Sequence, residues 1–217
     1  VLLGVDVSPE WQFEDELTKR LEKLEVEENH NLILDTASYY LAILANLKTD
    51  LDSLKTNFGE DSTRAAFLKK VANDDLQPVQ FRMFDANGTE VFKLVNCYID
   101  PPIPMNWNVE HCFDSIPPKT SIKTLNRHNY NLDFLLGHTK SIRGKMVEVL
   151  SLPKTDYYAV VFWNSYYQRP SKKLIKQVNK YAKRSGLSIT ILYINNNNAQ
   201  IWPRLDAETK EKVNALY

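Results

Sequence analysis

The fold is decided by Tyr157-Tyr158-Ala159-Val160-Val161-Phe162-Trp163, an unbroken apolar and aromatic run of strand length. A polar turn over residues 164–170 and a helical pattern over residues 171–184 follow, and Gly186 ends that helix. Residues 187–194 then form a second strand-like run rich in β-branched side chains. A strand that passes through a helix into another strand is a βαβ unit, and fully apolar strands are typical of parallel sheets covered on both faces. The sequence therefore predicts a βαβ unit at the centre of a sheet.

The first third of the chain predicts helices. An acidic helix is expected over residues 10–28, and a shorter one over residues 62–72. Between them, eight apolar residues recur at alternating spacings of four and three, which is the pattern of a heptad seam. They are Ile33, Ala37, Tyr40, Leu44, Leu47, Leu51, Leu54 and Phe58. A long helix must bury such a seam, either against the acidic helix of the same chain or against a second copy, so monomer and dimer both stay open.

The rest of the chain predicts strands, loops and shorter helices. Two strand-like runs over residues 79–84 and 90–99 are joined by Asn87-Gly88, a strong hairpin signal. The proline-rich stretch over residues 100–119 is expected to be extended or turning rather than helical, either as a docking groove or as a loop pinned over the core by Trp107. A short strand is expected over residues 122–125. A helical pattern interrupted around Gly137 and Gly144 is expected over residues 132–150, and a last helix over residues 206–216. The predicted fold class is mixed, α+β or α/β, with a helical part over residues 1–75 and a sheet domain over residues 76–217.

Composition and charge narrow the functional classes. The chain has 217 residues, 43% of them hydrophobic and 25% charged, which are ordinary globular values. Its net charge is zero, but residues 1–75 carry 16 acidic and 8 basic side chains, whereas residues 76–217 carry 11 and 19. No apolar run reaches the length of a membrane span. Because the chain begins at Val1 rather than methionine, the removal of a signal segment, a membrane anchor or part of a longer precursor is expected.

Catalytic and cofactor motifs are scarce in the sequence. Cys97 and Cys112 are the only cysteines, and they could form one disulfide or remain two free thiols. His111 adjoins Cys112, but adjacent residues of an extended segment point to opposite sides, so a catalytic pair is not expected. No HExxH or CxxC spacing occurs, and six glycines give little scope for a phosphate-binding loop. The sequence therefore predicts no metal and no cofactor.

Basic residues concentrate around the predicted crossover helix. Residues 119–186 contain 14 lysines and arginines against three acidic residues. Tyr166 and Tyr167 lie nearby, so the region could bind nucleic acid by charge and stacking, or could simply be a solvated helix face. We favour the solvated face and expect no nucleic-acid partner. The lysines at helical spacing are Lys172, Lys173, Lys176, Lys180 and Lys183.

The turn between the strand and the crossover helix carries one resemblance to a known family. Residues 162–170 read Phe-Trp-Asn-Ser-Tyr-Tyr-Gln-Arg-Pro, which resembles the Phe-Trp-Ala-x-Trp-Cys-x-x-Cys junction of envelope-anchored thiol–disulfide oxidoreductases in the thioredoxin-like superfamily. Tyr167 and Pro170 stand where that pattern has its two cysteines. The resemblance covers roughly residues 121–216, and no counterpart of the family's later cis-proline and closing hairpin is evident.

This resemblance implies a thioredoxin-like domain without the redox chemistry of its motif. The expected function is a non-catalytic binding or scaffolding role in the periplasm or cell envelope of a bacterium, with an unidentified protein partner. Two other functions stay open, namely a thiol–disulfide oxidoreductase that uses Cys97 and Cys112, and a helical interaction module. The candidate binding turn consists of Trp163, Tyr166, Tyr167, Gln168, Arg169 and Pro170.

Overall fold

The computed structural model of the chain describes residues 16, 17, 19, 31–58, 61–98, 106–121, 130–141, 144–198 and 201–214. Its strands are β1 (Asn31–Leu34), β2 (Gln80–Asp85), β3 (Glu90–Val95), β4 (Thr139–Ser141), β5 (Tyr157–Trp163) and β6 (Ile189–Asn195). Its helices are α1 (Thr36–Phe58), α2 (Ser62–Asp75), α3 (Leu132–Leu136), α4 (Gln168–Ser185) and α5 (Ala207–Asn214). The fold class is mixed α/β, as predicted, with a helical N-terminal part and a six-stranded sheet.

The βαβ unit is present as predicted, and the sheet around it is mixed. The strands follow the order β3-β2-β5-β6-β1-β4. β5, β6 and β1 run parallel, while β2, β3 and β4 are antiparallel to their neighbours. Gly186 ends α4 in the left-handed conformation, at φ 69°. The sheet is mixed because a hairpin, rather than a second crossover, supplies the strands on one side of β5.

Alternation along β5 divides the core into two layers. Ala159, Val161 and Trp163 face α4 and the segment 106–121, and we call this side the α4 face. Tyr158, Val160 and Phe162 point the other way, toward α1, α2 and α3, and we call this side the α1 face. All six side chains are buried, because helices or loops cover the strand on both sides.

The predicted hairpin is confirmed between β2 and β3. Gly88 turns the chain at φ 78°, a conformation that favours glycine. A side chain at this position would also crowd α3, because a Cβ on Gly88 would lie 3.3 Å from the Leu132 Cβ. The glycine thus serves both the turn and the close approach of α3.

The heptad seam does not match the buried side of α1. Tyr39 and Ile43 are the fully buried side chains of this helix, whereas Leu44 on the predicted seam is 40% exposed. Ile33 belongs to β1 and precedes the helix. Leu47 of the seam does pack against the core on the α1 face, but the stripe that faces the sheet contains Tyr39 and Ile43, so the predicted register is wrong. The acidic helix expected over residues 10–28 lies almost wholly outside the described residues.

The expected division at residue 75 does not coincide with an edge of the sheet. β1, from the helical part, lies between β6 and β4 and pairs with both. Of the helical pattern predicted over residues 132–150, the interruption at Gly137 is confirmed, because α3 ends at Leu136; the continuation as helix is wrong, because β4 follows. The last helix is confirmed as α5. The strand predicted over residues 122–125 lies outside the described residues.

Candidate functional site

The candidate binding turn lies at the carboxyl ends of β5 and β6, the edge where open α/β sheets usually bind ligands. Phe162 and Trp163 point to opposite faces, as predicted, and both are buried. Tyr166, a member of the predicted binding turn, is also buried, at 4% exposure. Tyr167 is half-buried against the α4 face. The exposed residues of the turn are therefore Gln168 and Arg169.

A network of asparagine and serine side chains fixes this turn. The Asn164 side chain accepts from the Tyr166 backbone N–H over 2.8 Å and donates to the Asn196 Oδ1 over 3.3 Å. The Asn164 backbone N–H donates to the Ser171 Oγ over 3.0 Å, and that hydroxyl donates back to the Asn164 carbonyl over 2.9 Å. Because the donors and acceptors largely satisfy one another, the network holds the loop that follows β5 to the loop that follows β6.

Pro170 suits its place in the first turn of α4, where a missing N–H costs nothing. Tyr167 makes no side-chain capping bond. The first-turn donors of this helix are consequently the backbone N–H groups of Gln168 and Arg169.

Two further donors lie buried at this edge. The Trp163 Nε1 and the Asn195 Nδ2 have no hydrogen-bond acceptor within the part of the chain that the structure describes. Trp163 and Asn195 are register partners across β5 and β6, so their side chains leave the same face of the sheet.

A groove runs along the outer surface of α4, beside the turn. It has a volume of about 260 Å³. One wall is Trp107, whose indole is buried and donates to the Pro170 carbonyl oxygen over 3.1 Å. This bond confirms that Trp107 pins the proline-rich segment over the core. The groove is lined by Asn106, Trp107, Lys173, Lys176, Gln177 and Lys180.

Neither cysteine lies in the candidate turn, and both are free thiols. Cys112 is buried, and burial raises the pKa of its thiol to about 12. Cys97 is exposed, and its pKa is raised by partial burial and by the Asp74 carboxylate, whose Oδ1 lies 3.8 Å from the sulfur. A raised pKa disfavours the thiolate, which is the reactive form. The pairing considered from the sequence is not formed.

A buried ionic cluster on the α1 face was not predicted. Arg82 donates to Asp75 over 2.8 Å and to Glu90 over 2.7 Å, and Lys93 donates to Asp75 over 2.6 Å. The Tyr130 ring lies against the guanidinium, with its centroid 4.0 Å from the Arg82 Cζ. Burial opposes ionisation of Asp75, but the two cations outweigh it and lower its pKa. Burial of Glu90 outweighs Arg82 and raises its pKa.

This cluster is closed to ligands, because its four charged side chains are 0–2% exposed. The sequence contained one indication of this ionic cluster. Arg82 and Lys93 each interrupt an otherwise apolar strand, and the hairpin register places them opposite each other. Charged residues inside apolar strands need buried partners.

Metal and membrane features are also absent from the described residues. These residues contain no group of three or more histidine, cysteine, aspartate or glutamate side chains that could hold a metal ion. Nor do they include a helix whose length and hydropathy would suffice to cross a bilayer. Comparison of the chain with protein-family models, with curated proteins and with solved structures gives no match.

Proposed function

We propose that this chain is a non-catalytic binding protein of the bacterial cell envelope, with a thioredoxin-like βαβ unit whose motif turn has lost both cysteines. The observation that carries the proposal is the pairing of a rigid, thiol-free turn with an open groove on the adjoining helix. The turn is fixed by the Asn164 network, and it is linked to the groove by Trp107, which lines the groove and donates to the Pro170 carbonyl oxygen. Rigid scaffolds of this kind favour binding because little conformational entropy is lost on association.

Photo-crosslinking tests the binding role in the organism of origin. A photoreactive amino acid at Gln168, exposed at the start of α4, is expected to capture a discrete protein partner. The same group at Lys55, exposed on α1 on the other side of the sheet, is the matched control. Equal capture at both positions, or none at Gln168, would contradict the proposal. Cell fractionation of the same strain tests the envelope location.

An insulin-reduction assay tests the absence of thioredoxin-type activity. No turnover is expected, because Tyr167 and Pro170 replace the motif cysteines and neither remaining thiol is activated. Turnover that disappears on Cys97→Ser or Cys112→Ser would instead support the oxidoreductase that uses these two residues.

A second candidate function is a helical interaction module, and one observation favours it. Leu41 and Leu44 on α1 are 61% and 40% exposed, so this helix presents apolar side chains to solvent. Association of two chains through α1 is tested by light scattering. A dimer that dissociates on combined Leu41→Lys and Leu44→Lys substitution would establish this interface, whereas a monomer at all concentrations would exclude it.

A further inference from the structure

We infer that the groove along α4 binds an acidic polypeptide segment in extended conformation. This inference rests on the proposed binding function and names the chemistry of the partner. Lys173, Lys176 and Lys180 line the groove and are exposed. None of the three has a hydrogen bond or ion pair with any residue that the structure describes.

The acidic residues of the segment 106–121, which forms the other side of the groove, do not neutralise the charge of the lysines. Glu110 and Asp114 are the acidic residues of that segment, and neither lines the groove. The Glu110 carboxylate accepts from the Ser121 backbone N–H over 2.6 Å and from the Thr120 hydroxyl over 2.9 Å. Asp114 lies 3.3 Å from the His111 Nδ1. Within the part of the chain that the structure describes, no carboxylate pairs with the three ammonium groups, so their positive potential is open to an external anion.

The spacing of the lysines suits an extended chain. Lys173 and Lys180 are seven positions apart on one side of α4, which corresponds to about 10.5 Å along the helix axis. An extended polypeptide rises about 3.3 Å per residue, so about three residues span this distance. Asn106 and Gln177 also line the groove, and their side-chain amides offer hydrogen-bonding groups that match a peptide backbone.

Trp107, the aromatic residue in the wall of the groove, argues against nucleic acid as the partner. Trp107 is 2% exposed and its N–H is committed to Pro170, so no base can stack on its ring. Binding of single-stranded nucleic acid normally combines positive charge with such stacking platforms. An anionic membrane surface fits no better, because the groove is concave and has no exposed apolar side chain to insert.

Fluorescence anisotropy tests the inference with a labelled ten-residue peptide of alternating glutamate and alanine. The peptide is expected to bind the full chain, with affinity that falls as salt rises. Combined Lys173→Gln and Lys180→Gln substitution should weaken binding by about tenfold, since each exposed ion pair contributes modestly. Lys48→Gln with Lys55→Gln is the matched control, because it removes the same charge from exposed positions on α1. This control should bind like the parent.

Two competing probes make the outcome decisive. A labelled ten-nucleotide oligothymidylate and vesicles of phosphatidylglycerol with phosphatidylcholine are measured under the same conditions. Tighter binding of either probe than of the peptide would overturn the inference, as would equal loss in both double variants or no peptide binding. In those cases the crosslinking result at Gln168 still decides the proposed function. Conversely, groove-dependent peptide binding with no cellular partner at Gln168 would contradict the proposed function alone.

Discussion

Ser165 and Asn197 bond each other twice across the gap between the loops that follow β5 and β6. The Ser165 backbone N–H donates to the Asn197 Oδ1 over 2.7 Å, and the Asn197 Nδ2 donates to the Ser165 Oγ over 2.8 Å. Both residues are buried. The two loops thus behave as one rigid edge, which holds the start of α4 and its groove in place.

Asn197→Ala removes both of these bonds and should lower the free energy of unfolding by about 1–3 kcal/mol, because buried polar groups lose their partner. Asn73→Ala, at an exposed position of α2, is the matched control and should change stability little. Chemical denaturation measures both variants. Equal stability of the two would mean that the asparagine network does not fix the edge.

The different burial of Phe162 and Tyr167 predicts that their substitution lowers stability by unequal amounts. Phe162→Ala should cost roughly 3–5 kcal/mol, because a fully buried aromatic ring leaves a cavity. Tyr167→Ala should cost about 1 kcal/mol, since this side chain is half-buried at the helix start. Thermal melting of both variants checks the order. The reverse order would place β5 in a different register.

The register of α1 is tested by two adjacent positions. Ile43→Asp places a charge at a fully buried position and should destabilise the chain by several kcal/mol. Leu44→Asp, one residue later and 40% exposed, should be tolerated. Similar melting temperatures for the two variants would mean that α1 does not pack on the sheet through Ile43.

His138 predicts a pH dependence of stability. Partial burial lowers the pKa of this imidazole below its usual 6.5, although Asp35 opposes the shift. The unfolded chain therefore binds a proton more readily, so stability is present above pH 6.5 and is lost as the pH falls through the folded-state pKa. Melting temperatures between about pH 7.5 and 5 should show this slope. His138→Gln removes the titrating group and should flatten it; an unchanged slope would assign it to other residues.

The thiols predict a difference between native and denatured labelling. A maleimide reagent should modify Cys97 in the native protein, because it is exposed, and should reach the buried Cys112 only after unfolding. Mass spectrometry counts the adducts. Fewer than two adducts under denaturing conditions without reductant would show that the cysteines pair.

Local pattern was sufficient to predict the centre of the fold. The continuous apolar character of Tyr157–Trp163 predicts a buried strand. Asn87-Gly88 is almost sufficient by itself to specify the turn of the β2–β3 hairpin. β1 was missed because Ile33 fits the four–three spacing of the following helix, and only pairing with β6 makes it a strand. The groove was missed for a similar reason. The lysine stripe is visible in the sequence, but Trp107 reaches Pro170 across 63 residues.

The placement of β1 has a consequence for how the chain is made. Residues 31–34 pair only with β6 and β4, whose residues follow at 189–195 and 139–141. During synthesis this strand must therefore wait until residues 189–195 have been made before its parallel partner is available. Such distant pairing slows folding and leaves hydrophobic surface open to association. Chains released before residue 189 should consequently depend on chaperones, whereas the β2–β3 hairpin, closed by a local turn, can form early.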